Sequence, residues 1–169
     1  MKPTGCHLFL SRPDIIKEIK QGRLRFDPPI DQTRIEQVSV DLLLGHNFTR
    51  FKERSAGYLS AVHLDDSIWD SLDIWDRVEG DSYVLEPGKF VLAQTLEKVC
   101  IPNHLVGLIE GRSRYARLGL TTHLTAPKID PGFSGPITLE IANLGNLPLR
   151  LRAAVDSIAQ LMLVRLTRP

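Results

Sequence analysis

The sequence predicts a mostly β fold with one helix near its start and one short helix near its middle. Three observations carry this. From Val38 onward apolar residues recur at every second position in short runs, and Gly, Pro and Asn interrupt those runs at close intervals. Near the start, Ile15, Ile16 and Ile19 form a helical stripe. The 169 residues are 43% hydrophobic and 24% charged, ordinary values for a globular chain. That length predicts one domain over 1–169, burying roughly 70% of its unfolded surface.

The elements follow in order. Residues 13–21 read as a helix docked on the sheet, with Ser11 as its cap and Gly22 as its stop. Ile137, Leu139 and Ile141 alternate with Thr138, Glu140 and Ala142, which gives a strand with one apolar face. Leu147, Leu149 and Leu151 alternate with Pro148, Arg150 and Arg152, and Pro148 places this strand at an edge or a strand start. Residues 158–166 read as a buried strand near the end. Residues 65–81 form a turn or loop in which Ile68, Trp69, Leu72, Ile74 and Trp75 are apolar anchors. Asp65, Asp66, Asp70, Asp73 and Asp76 read as a solvated rim around them, in preference to an acidic metal site. Tryptophan also suits an interface core.

The net charge of +1 supplies no general drive toward nucleic acid or a membrane. The first ten residues lack the apolar core of a signal peptide, and no run approaches the ~20 residues that span a bilayer. The two cysteines, Cys6 and Cys100, form no framework, which fits a reducing cytoplasm.

The chemistry concentrates in residues 110–140. Gly111 is read as a sharp turn leaving the apolar run 105–109, Ser113 as an N-cap, and residues 114–118 as a short helix. Such a helix start, with Arg112, Arg114 and Arg117 around it, reads either as a phosphate cradle or as a capped turn with solvated arginines. Ile129-Asp130-Pro131-Gly132 is a turn signal, with Pro and Gly at its second and third positions. Glu140 lies on the polar face of the strand that follows. Facing solvent it is a surface charge; facing a pocket it is a carboxylate held on a rigid element for proton transfer.

In sequence order these pieces are GRSRYARLGL, then His123-Leu124-Thr125-Ala126, then IDPGFSGPITLE and NLGNLPLRL. They resemble the dCTP deaminase branch of the trimeric dUTPase superfamily. LSRPDIIKEIKQGRLRFDPPI, the run from Ser39 to Gly45 and the run from Leu85 to Thr95 resemble it as well. The resemblance covers nearly the whole chain apart from about 52–81. It implies a dUTPase-like distorted β-barrel or jelly roll, assembled as a homotrimer with sites between subunits. It implies deamination of dCTP to dUTP and ammonia, a step in dUTP and dTTP synthesis.

The resemblance also implies roles. Glu140 shuttles protons as water attacks C4 of cytosine. Ser113 and Arg117 contact the triphosphate and support the reacting centre, and the backbone of Ala126 helps hold the water. Arg112 binds phosphate and Asp130 lies near the deoxyribose hydroxyl. The rest of the turn, Arg114, Tyr115 and Ala116, lines the substrate site, as does the strand segment Thr138, Leu139 and Glu140. Magnesium arrives with the triphosphate, and dTTP is a candidate inhibitor. Zinc is not expected. Zinc deaminases carry H-x-E and P-C-x-x-C, and neither the cysteines nor His7, His46, His63, His104 and His123 have such spacing. His123 reads as structural.

Four departures stand out against the family pattern. Arg114 replaces a second serine, and Pro127 replaces a glycine or histidine. Residues 152–155 replace a glycine-containing turn, and the sequence stops at Thr167-Arg168-Pro169 where a basic, aromatic tail is usual. Two other functions remain open. One is a dUTPase or bifunctional enzyme, with Asp130 orienting the water that attacks phosphorus and Mg2+ on the phosphates. The other is a nucleotide-binding trimer without activity.

Overall fold

The structure is a computed structural model describing residues 8–52 and 75–167. Cys6, His7, His63, Trp69, the aspartates 65, 66, 70 and 73, and the last two residues lie outside the described residues. Trp75 and Asp76 begin a strand.

Helix α1 spans Arg12–Lys20. It is followed by β1 (Arg25–Asp27), a 3-10 turn at Gln32–Arg34, β2 (Ser39–Leu42) and β3 (Leu44–Phe51). Then come β4 (Trp75–Glu79), β5 (Ser82–Leu85), β6 (Phe90–Cys100) and β7 (Leu105–Gly111). After the one-turn helix α2 (Ser113–Ala116) follow β8 (Lys128–Ile129), β9 (Ser134–Ala142), β10 (Leu149–Arg152) and β11 (Ala159–Arg165). The fold is mostly β, as the period-two pattern predicted.

Among the described residues the strands form three antiparallel sheets. In the largest, β6 pairs with β1, β3 and β9, and β3 also pairs with β4. The second runs β2-β11-β7-β8, and the third pairs β10 with β5. The inward residues of the two larger sheets make one core. Val91, Ile137, Leu139 and Ile141 meet Leu105, Ile109, Leu161 and Leu163, all at 2% exposure or less. These are the alternate apolar positions of each run, so the pleat alone puts them inside.

The register of β6 shifts between Gln94 and Lys98, and side chains satisfy the main chain there. The Thr95 hydroxyl accepts the Ile137 N–H (2.9 Å). The fully buried Glu97 carboxylate accepts the Leu43 N–H (3.0 Å) and pairs with Arg34. Polar side chains inside a core are tolerated only when they are bonded in this way.

The helix docks as expected. Ile15 is fully buried, and Ile16 and Ile19 pack against the core. Ser11 is the N-cap residue, but its hydroxyl bonds the Asp14 carboxylate (2.6 Å) rather than a backbone N–H. Glu18, 2% exposed, ties α1 to the barrel. It bonds Arg23 Nε (2.7 Å) and lies 3.1 Å from His104 Nε2 and 3.4 Å from an Arg165 nitrogen. The Arg23 hydrogen bond, with the charges of Arg23 and His104, holds the Glu18 carboxyl down at about 2 against the opposing effect of burial.

Candidate active site

The residues from Gly111 to Glu140 are spread over the fold: Arg112 follows the end of β7, Asp130 follows β8 beside the start of β7, and Glu140 stands on β9; the local geometry differs in part from expectation. Gly111 makes no turn: it remains in β7, opposite Ala159. The chain leaves the sheet at Arg112, which is the N-cap of α2 in an extended conformation. Ser113 is therefore the first helical residue rather than the cap, and no side chain caps the helix. A single turn sums few peptide dipoles, so attraction for an anion here rests on the arginines more than on the helix start.

Those arginines differ in their surroundings. Arg112 pairs with the buried Asp41 of β2 (2.5 Å), and its N–H donates to the Ile158 carbonyl. Arg114 lies over the Tyr115 ring at 4.6 Å and bonds its hydroxyl at 2.8 Å. Arg117 is exposed and has no hydrogen-bonding or ion-pair partner for its side chain among the described residues. Ser113 and Ala116 are exposed and Tyr115 is half-buried.

The Asp130–Phe133 turn forms as read. Gly132 has φ +79°, and the Phe133 N–H donates to the Asp130 carbonyl at 3.1 Å. Its left-handed backbone at the third turn position is the reason for glycine there. Asp130 is exposed and pairs with Lys128 (2.7 Å). Ala126 is exposed, next to Pro127, whose carbonyl receives the Ile109 N–H (2.8 Å).

On β9, Thr138 is exposed, Glu140 half-buried and Leu139 fully buried. The expectation for Leu139 needs correcting: its side chain belongs to the core, so only its main chain can meet a ligand. Glu140 is held on both sides. It pairs with Leu92 of β6, and on its other flank its N–H donates to the Thr122 carbonyl (3.0 Å). The Leu124 N–H donates to its carboxylate at 2.9 Å. The Thr121 hydroxyl donates to the Glu140 carbonyl and accepts the Ala142 N–H (2.8 Å). His123 is half-buried, with Nε2 3.4 Å from Glu110.

The segment carrying these bonds starts at α2. Gly119 and Gly145 meet backbone to backbone: a Cβ built on Gly119, at φ +85°, would lie 2.3 Å from the Gly145 nitrogen. The Leu144 N–H donates to the Gly119 carbonyl (2.8 Å). Among the described residues no hydrogen bond or ion pair joins the arginines of the turn to Glu140; the two halves meet through this segment.

The outer face around Glu140 is ordered by register. The register sets one row Arg77–Thr49–Leu92–Glu140; on one side of it Phe51, paired with Trp75, meets the Phe90 ring at 6.1 Å, and on the other Asn47, paired with Glu79, bonds Gln94 beside Thr138. Trp75 stacks on Phe51 at 4.3 Å. A cavity of about 690 Å³ opens on this face, with Thr138, Gln94, Asn47, Leu92 and Arg77 in its lining.

Sequence reasoning missed Asp41 and Thr121. Asp41 carried a signal, since it stands between Val40 and Leu42 in a strand buried along its whole length. Thr121 carried none, because its bonds form only when the loop lies along β9.

The fold is a mostly β domain whose two larger antiparallel sheets enclose one core. By sequence, the chain belongs to the dCTP deaminase-like family, whose model matches residues 9–166. It is 43% identical over 162 residues to a "dCTP deaminase, dUMP-forming" of Mycolicibacterium vanbaalenii, covering 96% of this chain and 83% of that one. It is 41% identical, with the same coverage, to the Mycobacterium tuberculosis protein of that name. The crystal structure of 2'-deoxycytidine 5'-triphosphate deaminase from Agrobacterium tumefaciens matches with a TM-score of 0.71 at 21% identity, over 95% of this chain. The present chain spans about half (49%) of that structure's chain.

Proposed function

We propose that this protein hydrolyses dCTP to dUMP, in two steps at one site. In the first, water adds to C4 of cytosine and ammonia leaves, giving dUTP. In the second, water attacks phosphorus and diphosphate leaves. The observation that carries the first step is the Glu140 carboxylate, fixed on a paired strand and oriented by the Leu124 N–H at 2.9 Å. Such a carboxylate takes a proton from water and passes it to ring N3, then carries the proton of the new C4 hydroxyl to the amine, so that the C4–N bond breaks, ammonia leaves and C4=O forms. Arg117, exposed and without a side-chain partner among the described residues, balances the charge that develops, and the Ala126 backbone helps place the water. Ser113 and Arg112 hold phosphate oxygens, and Thr138 with the Leu139 main chain lines the nucleotide. No zinc is required, because proton transfer by Glu140 replaces metal-bound hydroxide.

The dUMP product rests on the names of the relatives at 41–43% identity. Asp130, exposed on its turn, is the carboxylate for the second step. The substrate is the Mg2+ complex of the triphosphate, whose charge the cation offsets. We also propose a homotrimer in which one chain's arginine turn faces another's Glu140. The separation of the two halves within the chain supports this, as do the exposed Leu118, Leu144 and Leu147 around the turn. Among the described residues no helix is long and apolar enough to cross a membrane.

One experiment tests the reading. The protein is incubated with Mg2+ and either dCTP or dUTP, and nucleotides, diphosphate and ammonia are quantified. Equal yields of dUMP, diphosphate and ammonia from dCTP are expected. Accumulation of dUTP without diphosphate reduces the activity to deamination alone, and no ammonia at all refutes it.

A further inference from the structure

We infer that Asp41 is the positioning residue for Arg112, fixing its guanidinium before the triphosphate arrives. The inference rests on the proposed role of Arg112 as a phosphate ligand. Asp41 sits on β2, all four residues of which are buried, and its own exposure is 4%. One carboxylate oxygen pairs with Arg112; the other is buried with no hydrogen-bond partner. Burial therefore pushes the Asp41 carboxyl up, and the Arg112 charge is the main force opposing that.

This makes the pair asymmetric. A buried carboxylate left without its cation is strongly unfavourable, so Arg112 cannot swing away to follow a ligand. Its backbone is held too, by the bond to Ile158 at the start of β11. Next to the pair lies a cavity of about 410 Å³, which Arg112 lines with Ser113, Arg114, Gln160 and Ser39. Gln160 bonds the Gly111 carbonyl (2.9 Å) and closes the wall behind the turn. A phosphate entering here meets a guanidinium whose orientation is already set. Its side-chain entropy is spent in folding and not in binding, which raises affinity without a new contact. Among the described residues Arg114 and Arg117 have no such buried carboxylate, so the three arginines of the turn are not equivalent.

The test is a double-mutant cycle of Asp41→Asn and Arg112→Ala, read on two ligands. Inorganic tripolyphosphate reports phosphate affinity by calorimetry whether or not the protein deaminates dCTP; dCTP turnover gives KM and kcat. Asp41→Asn is expected to weaken tripolyphosphate binding and raise KM about tenfold, the scale of one charge-assisted hydrogen bond, with little change in kcat. In the Arg112→Ala background the same substitution should add almost nothing, since coupled residues are non-additive. The neutral isostere removes a buried charge, so the melting temperature should hold or rise. A purely structural Asp41 gives the opposite pattern: a lower melting temperature with affinity unchanged. Tighter binding in Asp41→Asn would show that Asp41 competes with phosphate, and overturns the inference. If Arg112→Ala binds tripolyphosphate normally, both the phosphate role and the inference fall. If wild type binds tripolyphosphate with the expected cycle but releases no ammonia, the functional reading fails and the inference stands.

Discussion

Replacing Glu140 by glutamine separates proton transfer from everything else this residue does. The wild-type residue makes three bonds toward the 120s segment: its carboxylate accepts from Leu124, its N–H donates to Thr122, and its carbonyl accepts from Thr121. Glutamine keeps all three, because the amide oxygen can take the Leu124 N–H. Only the ability to accept and return a proton is lost. General acid–base catalysis contributes roughly 10²–10⁴-fold, and here one group serves more than one transfer. The turnover number should fall by at least about 10³, which is about 4 kcal/mol of barrier. The dCTP dissociation constant should stay within about threefold, since that corresponds to less than one kcal/mol. Glu140→Ala sets the contrast. It also frees the Leu124 N–H, at a cost of about 0.5–1.5 kcal/mol, or a few degrees of melting temperature in a chain this size. Ammonia release under saturating dCTP, calorimetric binding and thermal melting together decide the matter. A glutamine variant retaining more than about a tenth of wild-type turnover would refute the proton-shuttle argument.

Three further outcomes follow from the scaffold. Glu18 titrates at about 2 in the folded state against an ordinary 4.5, so its stabilisation is present above 4.5 and is lost as pH falls through 2; denaturant melts of Glu18→Gln and wild type should differ at neutral pH and converge over that acid window. Arg34→Ala strips the fully buried Glu97 of its cation and should cost about 3–5 kcal/mol, measured by urea unfolding; a loss below about 1 kcal/mol would mean that the Leu43 N–H alone holds Glu97. Ala154 carries a positive φ of 55° without being glycine, so Ala154→Gly should stabilise by about 1 kcal/mol, or 2–4 °C of melting temperature, and an unchanged or lower melting point would show that the site carries no strain.

Much of the architecture was legible because one-sided strands write a period of two into the chain. Ile137, Leu139 and Ile141 gave away β9, and with it the outward face of Glu140. The presence of the Asp130–Phe133 turn followed from Pro131 and Gly132 alone. The exit from β7 was misjudged, because a glycine in a strand looks the same in sequence as a glycine in a turn. Gly111 keeps its strand pairing, and the bend belongs to Arg112. The anchoring of Glu140 was illegible for a different reason. It depends on an irregular loop lying along β9, and threonine hydroxyls with main-chain partners leave no pattern. Asp41 and Arg112, far apart in sequence, are joined only once β2 and β11 pair and β11 carries the end of β7 beside them.

The contact between Gly119 and Gly145 acts as a spacer of zero thickness. Where two loops touch through side chains, substitutions on either surface alter the gap between them. Here main chain rests on main chain, and the distance is set by atoms that every residue shares. The arginine turn just before Gly119 and the strand carrying Glu140 just before Gly145 are thereby gauged to one another independently of what surrounds them. Leu118 and Leu144, at 51% and 73% exposure, flank this contact without setting its distance. Gain of a single methyl group at either glycine would shift the whole turn. The spacing is set not by side chains but by two hydrogens.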